Sequence, residues 1–393
     1  MNKINQVEHK VAILGSMPPL RGLSSYCFEL SRAISNFCTI EFLSFKKLYP
    51  SFLYPGRDLK DDKTFPVVLY DRLTVKRKLT WYNPITWLIA GLLTKADILH
   101  AQWWSLPLFP VYVFICLGFK LRKKPIVFTV HNVLPHEKPT LYLTLTRFLF
   151  KLSDHFIVHT TNNVEQLSQY YSISKNRISC IAHGTLDFHI KKHPSKNNIK
   201  SEMGFDANHK IILFFGAIRP YKGLLISFSK VLKTIPDARL LIAGKLWEKW
   251  HPYDTLIKSL EITDYVTTFP DYIPSGEVHK FFDSSDLVVL PYHRFDSQSG
   301  VGTTSIAFRK PLIVTRVGGL PDLVTDSRCV VPPKDTQALT KAITVCLGNP
   351  DHMKSMSLSA DEIAKDLSWP AIAKKTCEVY DQLIQFSANL KTS

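Results

Sequence analysis

Polar side chains stand directly after several apolar runs of this 393-residue chain. In IVFTVHNVLPHE, residues 126–137, the apolar run ends at His131, and His136 and Glu137 follow a few residues later. A histidine at a strand end can ligate a metal, act as a general base or hydrogen-bond a ligand. The stretch is not His-Glu-x-x-His, and no converging carboxylates or cysteines accompany it. We therefore predict no metal site and no cofactor, and leave the role of the histidine open between structure and ligand contact.

Two cations follow a second apolar run. In FFGAIRPYKG, residues 214–223, Arg219 and Lys222 come shortly after Gly216. An arginine can bind phosphate oxygens in a bidentate manner and a lysine adds a point charge, so the pair is able to neutralise a diphosphate. The alternative is two exposed basic residues in a basic protein.

A loop of small polar residues, DSQSGVGTTS at 296–305, follows the apolar run LVVLPY. The residues able to meet a ligand there are Ser297, Gln298, Ser299, Gly300 and Val301. Backbone N–H groups and hydroxyls in such a turn can bind phosphate oxygens, with the dipole of the following helix behind them. The glycine pair of VGGLPD, at 317–322, permits a second close approach, by a ligand or by another backbone segment. The sequence contains no Walker motif, because Gly-x-x-x-x-Gly-Lys-Ser/Thr is absent.

A loop of the same kind, with a less specific sequence pattern, lies near the amino terminus, in MPPLRGLS at 17–24. Gly22 allows the backbone to come close to a ligand, and Ser24 is predicted to cap the helix that follows. Nearly every α/β sheet has such turns, so this loop indicates either an anion site or structure alone.

Composition limits the class of protein. The formal net charge of +16 and the pI near 9.4 favour anionic partners such as nucleotides, nucleic acid or a membrane surface. The seven cysteines are scattered, which is typical of reduced thiols in a cytoplasmic protein. MNKINQVEHKVAILGS contains no apolar signal segment.

One long apolar stretch raises the question of a membrane. LPLFPVYVFICLGF, residues 106–119, is too short to span a bilayer and is followed by the cations of KLRKK. We predict a core helix there, with an interfacial helix as the alternative.

Short apolar runs alternate with longer amphipathic segments, which predicts strands and helices of parallel sheets. The predicted strands are KVAILGS (10–16), ADILHAQ (96–102), PIVFTVHN (125–132), HFIVHT (155–160), KIILFFGAI (210–218), ARLLIAG (238–244), DLVVLPY (286–292) and PLIVTRV (311–317). The polar, basic segment 189–210 separates the two sets and is predicted to be a linker. The pattern favours two Rossmann-like domains, with ligands bound outside the carboxyl ends of the strands in the cleft where the domains face each other.

Taken in order, these motifs resemble the retaining glycosyltransferases of family 4, which have the GT-B fold. The residues that carry the resemblance are PPLRGLSSY, TVHNVLPHE, IAHGTLD, FGAIRPYKG, LLIAGK, KPLIVTRVGGLPD and LSWPAIAKKTCEVYDQLI. The resemblance implies a Rossmann-like acceptor domain at 1–190, a linker at 191–209, a nucleotide-sugar domain at 210–370 and a helix at 371–393 that crosses back to the first domain. It also implies that His131 faces the donor sugar and that Arg219 and Lys222 hold the diphosphate.

Two departures from the family pattern affect these roles. The family places two glutamates, with seven residues between them, where this chain has Asp296 and, at the second position, Thr304. The second glutamate normally holds the donor ribose. The family arginine directly follows the glycine, where Ala217 stands here, so Arg219 would act from two positions later.

The resemblance implies a metal-independent glycosyltransferase that uses a UDP- or GDP-linked sugar to build bacterial surface polysaccharide or glycolipid. A silent GT-B scaffold, a sugar phosphorylase and a nucleotide-sugar epimerase stay open as alternatives. A nucleic-acid binder is disfavoured, since no zinc, helix-turn-helix or RNP-like signature is present. Cations of the first half and the linker, together with the aromatics of LTWYNPITWLIAGLL, predict peripheral docking on the inner face of the cell membrane and a lipid-linked acceptor. A basic protein with soluble acceptors is the alternative.

Overall fold

The structure, a computed structural model, describes residues 9–20, 23–48, 70–134, 140–190, 197–218 and 222–392. The chain divides into two compact units, the first made of residues 1–184 and 368–393 and the second of residues 185–367. Each unit is a parallel sheet with helices, so the predicted α/β class with two Rossmann-like domains is confirmed.

The first unit contains seven strands in the order β3-β2-β1-β4-β5-β6-β7, and every pair is parallel. Its elements are β1 Lys10–Leu14, α1 Ser24–Ile34, β2 Thr39–Lys47, β3 Leu73–Thr80, α2 Pro84–Leu93, β4 Ile98–Trp103, α3 Phe109–Leu121, β5 Ile126–Val130, α4 Thr140–Phe150, β6 His155–Val158, α5 Thr161–Tyr171, β7 Ile178–Cys180 and the carboxyl-terminal helix α13 Trp369–Thr392. The strand order reverses between β1 and β4, which is the point where ligands bind in open α/β sheets.

The second unit contains six strands in the order β10-β9-β8-β11-β12-β13. Its elements are α6 Asn197–Glu202, β8 Lys210–Phe215, α7 Lys222–Leu232, β9 Ala238–Ala243, α8 His251–Ser259, β10 Val266–Phe269, α9 Val278–Ser284, β11 Leu287–Leu290, α10 Gly300–Ala307, β12 Leu312–Thr315, β13 Val330–Val331, α11 Thr336–Leu347 and α12 Pro350–Asp366. Renumbered from its own first strand, this sheet has the order 3-2-1-4-5-6 of a dinucleotide-binding fold, with its reversal between β8 and β11.

The segment predicted as a linker contributes structure to the second unit. Helix α6 lies within it, Ile199 is buried, and Nζ of Lys200 donates to Oδ2 of Asp286 over 2.8 Å. The composition of this segment is polar because only one side of a short helix is buried. Helix α13, in turn, belongs to the first unit and packs on α1.

The apolar stretch 106–119 forms α3, whose buried residues enter the core of the first unit, as predicted. It packs on α2 through two glycines: a Cβ at Gly118 would lie 2.6 Å from the carbonyl carbon of Gly91. Among the described residues, no helix has the length and apolar character needed to cross a bilayer.

Candidate functional site

The loops that follow β8 and β11 meet at the reversal point of the second sheet. Gly216 directly follows β8 with φ +112°, and a Cβ there would lie 3.1 Å from Cγ2 of Val301 and 4.0 Å from the hydroxyl of Tyr292. Gly244 directly follows β9 with φ +138°, and its own Cβ would collide with the carbonyl oxygen of Gly216. Glycines are therefore required at both strand ends, since a side chain would block the contact between these loops.

The loop of Ser297, Gln298 and Ser299 is buried and leads directly into α10. The hydroxyl of Ser299 caps this helix by accepting from the N–H of Gly302 over 3.2 Å. Gly319 donates its N–H to the carbonyl of Ser297 over 2.9 Å, so the VGGLPD segment supports the loop from the other side. The arrangement presents a helix amino terminus at the carboxyl edge of the sheet, which is favourable for an anion.

A pocket lies at the same edge, beside the start of α7. Its polar lining includes His293, Thr315, Lys334, Asp335 and Thr336. Burial and the nearby Lys334 lower the pKa of His293, so this imidazole is neutral at neutral pH. The pocket therefore places the cation of Lys334, the carboxylate of Asp335, which caps α11, and neutral hydrogen-bonding groups next to the helix amino termini.

The predicted diphosphate-binding residues are only partly described. Arg219 lies outside the described residues. Lys222 is the first residue of α7, which places its backbone at the carboxyl edge of the second sheet. Asp296 is half-buried in the loop before α10, and Gly300 is the first residue of that helix. The hydroxyl of Thr304 donates to the carbonyl of Gly300 over 2.8 Å, so its proton is used within α10.

The first loop of the first unit differs from its prediction. Gly22 lies outside the described residues. Ser24 does not cap α1: Leu23 is at the N-cap position, and the buried hydroxyl of Ser24 has no hydrogen-bond partner among the described residues. The cap prediction was wrong by one position, because Ser24 is the first residue of α1 and Leu23 precedes it as the N-cap. Ser16, after β1, also has a buried hydroxyl without a partner within the described ranges.

His131 is the centre of a buried histidine cluster at the carboxyl edge of the first sheet. Its Nδ1 lies 3.1 Å from Nε2 of His159, and its Nε2 lies 2.9 Å from the side-chain amide of Gln102. The same amide lies 3.1 Å from Nε2 of His100, whose Nδ1 lies 2.6 Å from the hydroxyl of Tyr380. The strand-end histidine is thus one member of a hydrogen-bonded chain.

Two fixed acceptors set the proton positions in this chain. The carbonyl of Ile181, 2.9 Å from Nδ1 of His159, can only accept, so His159 carries its proton on Nδ1. The amide oxygen of Gln102 faces Nε2 of His131, which donates to it over 2.9 Å. The NH₂ group of Gln102 donates to Nε2 of His100, and Nδ1 of His100 donates to the hydroxyl of Tyr380.

Burial keeps these imidazoles neutral. It lowers the pKa of His159 to about 4 and that of His100 to about 3, in the second case with the help of His159. The pKa of His131 lies well below its ordinary value, because of burial and then the like charges of the neighbouring histidines. His131 is therefore a poor general base, and both of its ring nitrogens are engaged inside the first unit.

Aromatic packing closes the cluster. The ring of Tyr26 lies edge-on to His131 at a centroid distance of 4.7 Å and contacts His183 at 4.8 Å. A Cβ at Gly184 would lie 2.6 Å from Cε2 of Trp369, so the His-Gly turn fits only a glycine against the indole. Trp369 begins α13, which ties the last helix of the chain to this edge of the first sheet.

Sequence reasoning identified His131 but missed Gln102, His159 and Tyr26 as its partners. His136 and Glu137 lie outside the described residues. The missed signal is positional: Gln102 lies at the end of β4 and His159 directly after β6, so each occupies the same kind of strand-end position as His131. In a parallel sheet those positions share one edge.

Two family profiles match the chain. The one described as Glycosyltransferase Family 4 matches residues 21–185, and the one described as Glycosyl transferases group 1 matches residues 195–362. Between them they cover more than four fifths of the chain.

Curated relatives are named as D-inositol 3-phosphate glycosyltransferases. The protein of Segniliparus rotundus is 27% identical over 229 residues, which are 56% of this chain and 50% of the relative. That of Thermobispora bispora is 22% identical over 317 residues, 74% of this chain and 72% of the relative. The matched stretch thus spans only half the length of the first of these relatives.

Solved structures share the fold at low identity. HepE of Anabaena, solved in complex with UDP and glucose, has a TM-score of 0.72 at 15% identity, covering 95% of this chain and 100% of HepE. Sucrose-phosphate synthase of Thermosynechococcus elongatus has a TM-score of 0.72 at 16% identity, covering 96% and 100%. The two profile matches, with the two Rossmann-like sheets, show that this chain belongs to family 4 of the glycosyltransferases and has the GT-B fold.

Proposed function

We propose that the chain transfers a sugar from a UDP- or GDP-linked donor to a glycan acceptor, with retention of anomeric configuration and without a catalytic metal. The observation that carries the proposal is the carboxyl edge of the second sheet, where α7 and α10 begin beside the pocket that contains Lys334 and His293. Helix amino termini and a cation are what a nucleoside diphosphate requires. The UDP complex of HepE, which has the same fold, is consistent with this choice of ligand.

The proposed reaction separates charge at the anomeric carbon. The bond from that carbon to the β-phosphate oxygen breaks, and a bond to the acceptor oxygen forms on the same face of the sugar. The acceptor's proton passes to the departing phosphate. Positive charge grows on the sugar and negative charge on the phosphate, so donors placed at the phosphate stabilise the transition state. Lys222, Arg219 and the Ser297–Gly300 loop are the proposed donors, and Asp296 lies on the same loop.

His131 is proposed to hold the donor sugar through its main-chain carbonyl. Its ring nitrogens are engaged by Gln102 and His159, so the imidazole acts as a buried support. The histidine cluster is thus proposed to position the main-chain carbonyl of His131. It also agrees with the low pKa of His131, which disfavours proton abstraction by the ring.

A panel of nucleotides tests the donor class. UDP, GDP, ADP and their sugars are added to the whole chain and the melting temperature is measured. A ligand that binds only the folded state stabilises it by about 2.7 kcal/mol at one hundred times its Kd. We expect a UDP or GDP compound to raise the melting temperature, while the free nucleosides, which lack the diphosphate, do not. An equal response to nucleosides would contradict the proposed diphosphate contacts.

Products distinguish the transferase from the alternatives. A transferase yields a new glycoside and a free nucleoside diphosphate, a phosphorylase yields a sugar phosphate, and an epimerase returns an altered nucleotide sugar. Slow hydrolysis of the donor without acceptor would exclude a silent scaffold. Turnover should be the same with and without added Mg²⁺ or Mn²⁺, and strict dependence on either ion would oppose the metal-free proposal.

We further propose that the acceptor is lipid-linked and that the first unit docks on an anionic membrane surface. Helices α2 and α3, packed together through Gly91 and Gly118, expose two apolar stripes. The stripe on α2 consists of Ile85, Leu88, Ile89 and Leu92, and that on α3 of Phe114, Leu117 and Leu121. Both follow helical spacing, and Trp81 and Tyr82 stand beside them as interfacial aromatics.

Charge contributes less to this surface than the sequence indicates. Nζ of Lys120 lies 2.7 Å from Asp154, that of Lys124 lies 2.9 Å from Asp97, and Lys76 pairs with Glu41. Lys46, Lys47, Lys78 and Lys123 are exposed and lie in segments flanking the apolar stripes. Apolar insertion therefore provides more of the proposed attachment than the number of cations alone would predict, and the exposed lysines select an anionic bilayer.

Co-sedimentation with vesicles tests the docking surface. We expect binding to vesicles that contain anionic lipid, and at least a tenfold loss when Ile85 and Ile89 are both changed to Asp. Leu358→Asp is the matched control, because Leu358 is 60% exposed on α12 of the second unit. Equal binding to neutral vesicles, or no loss in the double variant, would contradict the proposal.

A further inference from the structure

Three sulphur atoms meet in the second unit, away from the carboxyl edge of its sheet. Sγ of Cys329 lies 3.9 Å from Sγ of Cys346, and Sδ of Met356 lies 3.8 Å from the first and 3.7 Å from the second. Cys329 precedes β13 at its amino end, whereas nucleotide ligands bind at the carboxyl ends. Both cysteines are almost fully buried.

The spacing fits a common metal ligand set. Two thiolates at about 2.3 Å from a tetrahedral zinc ion are separated by about 3.8 Å. Sulphur atoms in an ordinary core can also pack at such distances, so the spacing alone does not define a site.

A buried histidine, His352, lies beside the two cysteine sulphurs. One of its ring nitrogens and the two Sγ atoms all lie within 4.8 Å of one another. Its side chain is 6% exposed, and Nδ1 has no hydrogen-bond partner among the described residues. Nε2 lies 2.8 Å from Oδ2 of Asp326, which leaves Nδ1 as the nitrogen able to ligate. A metal-binding histidine almost always donates its other N–H to a carboxylate or carbonyl in this way.

The charges of the surroundings favour a divalent ion. Asp326 is neutralised by Arg328, whose Nε lies 3.0 Å from both carboxylate oxygens. Without a cation the two buried cysteines are neutral thiols, and a divalent ion that displaces their two protons leaves the ligand set neutral again. Thiolate and thioether ligands select Zn²⁺ or Cu⁺ over Mg²⁺ or Ca²⁺, and only Zn²⁺ gives neutrality.

We propose that Cys329, Cys346 and His352 form a structural zinc site in the second unit, with the sulphur of Met356 or a water at the fourth position. Binding displaces the two thiol protons, so one Zn²⁺ enters and two H⁺ leave. An adjoining pocket, lined in part by Cys329, His352 and Met356, offers the ion a route to the site. Once bound, it ties β13, at the edge of the sheet, to the corner between α11 and α12.

Metal analysis of the whole purified chain tests the site. We expect about one Zn²⁺ per chain under reducing conditions. Co²⁺ added to the metal-free protein should give the intense absorption of thiolate-to-cobalt charge transfer together with the visible bands of a tetrahedral ion. This spectrum needs no variant, so it reports on the site even if a substituted chain fails to fold.

Variants assign the ligands. Cys329→Ser and Cys346→Ser should each lower the bound zinc at least tenfold, and Asp326→Asn should weaken zinc binding by about ten- to a hundredfold through the orientation of His352. Cys116→Ser, a buried cysteine of the first unit, is the matched control and should keep full occupancy. Less than a tenth of an equivalent of zinc after exposure to the ion, a cobalt spectrum without thiolate bands, or a Cys329–Cys346 disulfide in the purified protein would overturn the proposal.

Discussion

Replacing Lys222 by alanine should lower kcat/KM by two to three orders of magnitude. Loss of one preorganised donor to a developing anion costs about 2.7–4 kcal/mol of transition-state stabilisation. Lys222 is the first residue of α7, so its backbone lies at the helix amino terminus, at the edge where the diphosphate is proposed to bind. Steady-state kinetics with the donor identified by the nucleotide panel provide the measurement.

Lys230→Ala is the matched control for this variant. Lys230 is an exposed lysine two turns further along the same helix and should change neither turnover nor stability. The melting temperature of the Lys222 variant without ligand should equal that of the unsubstituted chain. A tenfold loss or less in kcat/KM, with nucleotide binding unchanged, would remove Lys222 from the proposed phosphate contacts.

Variants of Arg219 test this residue independently of Lys222. If this arginine replaces the family residue from two positions later, Arg219→Ala should weaken nucleoside diphosphate binding and turnover to an extent comparable with the lysine variant. Arg219→Lys should recover part of the loss, because a lysine keeps the charge but lacks the bidentate geometry. Wild-type turnover in Arg219→Ala would show that the shifted arginine is not a phosphate ligand.

Mild acid should destabilise the first unit steeply. The pKa values of His100, His159 and His183 in the folded chain are about 3, 4 and 3, and that of His131 is also well below 6.5. In the unfolded chain each histidine titrates near 6.5. Between pH 6.5 and about 4 the unfolded chain binds protons that the folded chain does not. The free energy of unfolding therefore falls as pH falls through this window and is fully retained above it.

The expected slope is large because the four histidines act together. Each contributes up to about 1.36 kcal/mol per pH unit, so four approach about 5 kcal/mol per unit, a large share of the stability of a typical domain. Denaturant unfolding followed by the fluorescence of the tryptophans, measured at intervals from pH 7 to pH 5, gives the slope. If unfolding takes up fewer than about one proton per chain over this range, the cluster is not held neutral in the folded chain.

Single variants separate this cluster from other titrating groups. His100→Gln should reduce the proton uptake by about one, since glutamine keeps a hydrogen-bonding side chain beside Tyr380 and Thr129 without an ionisable ring. His251→Gln is the control, because His251 is exposed at the start of α8 and lies outside the histidine cluster. That control should leave the slope unchanged.

The sequence by itself predicted the internal strands of each sheet, with the exception of β2. All eight predicted strands exist, because a strand covered on both faces is a nearly continuous apolar run. The five missed strands include all four sheet edges, β3, β7, β10 and β13. An edge strand such as LTVKRKLT is half exposed and carries charges that oppose edge-to-edge pairing, so its pattern does not distinguish it from a loop. The order of the motifs also predicted the family.

Only the tertiary structure decided which polar residues act together. Gln102, His131, His159 and His183 are spread over eighty residues of sequence, and they converge because β4, β5, β6 and β7 are adjacent and parallel. The same folding pairs Lys120 and Lys124 with aspartates and brings Cys329 to Cys346 and His352, although the cysteines look scattered in the sequence. Apolar periodicity is local along the chain, whereas hydrogen bonds, ion pairs and ligand sets depend on strand order, which no local pattern encodes.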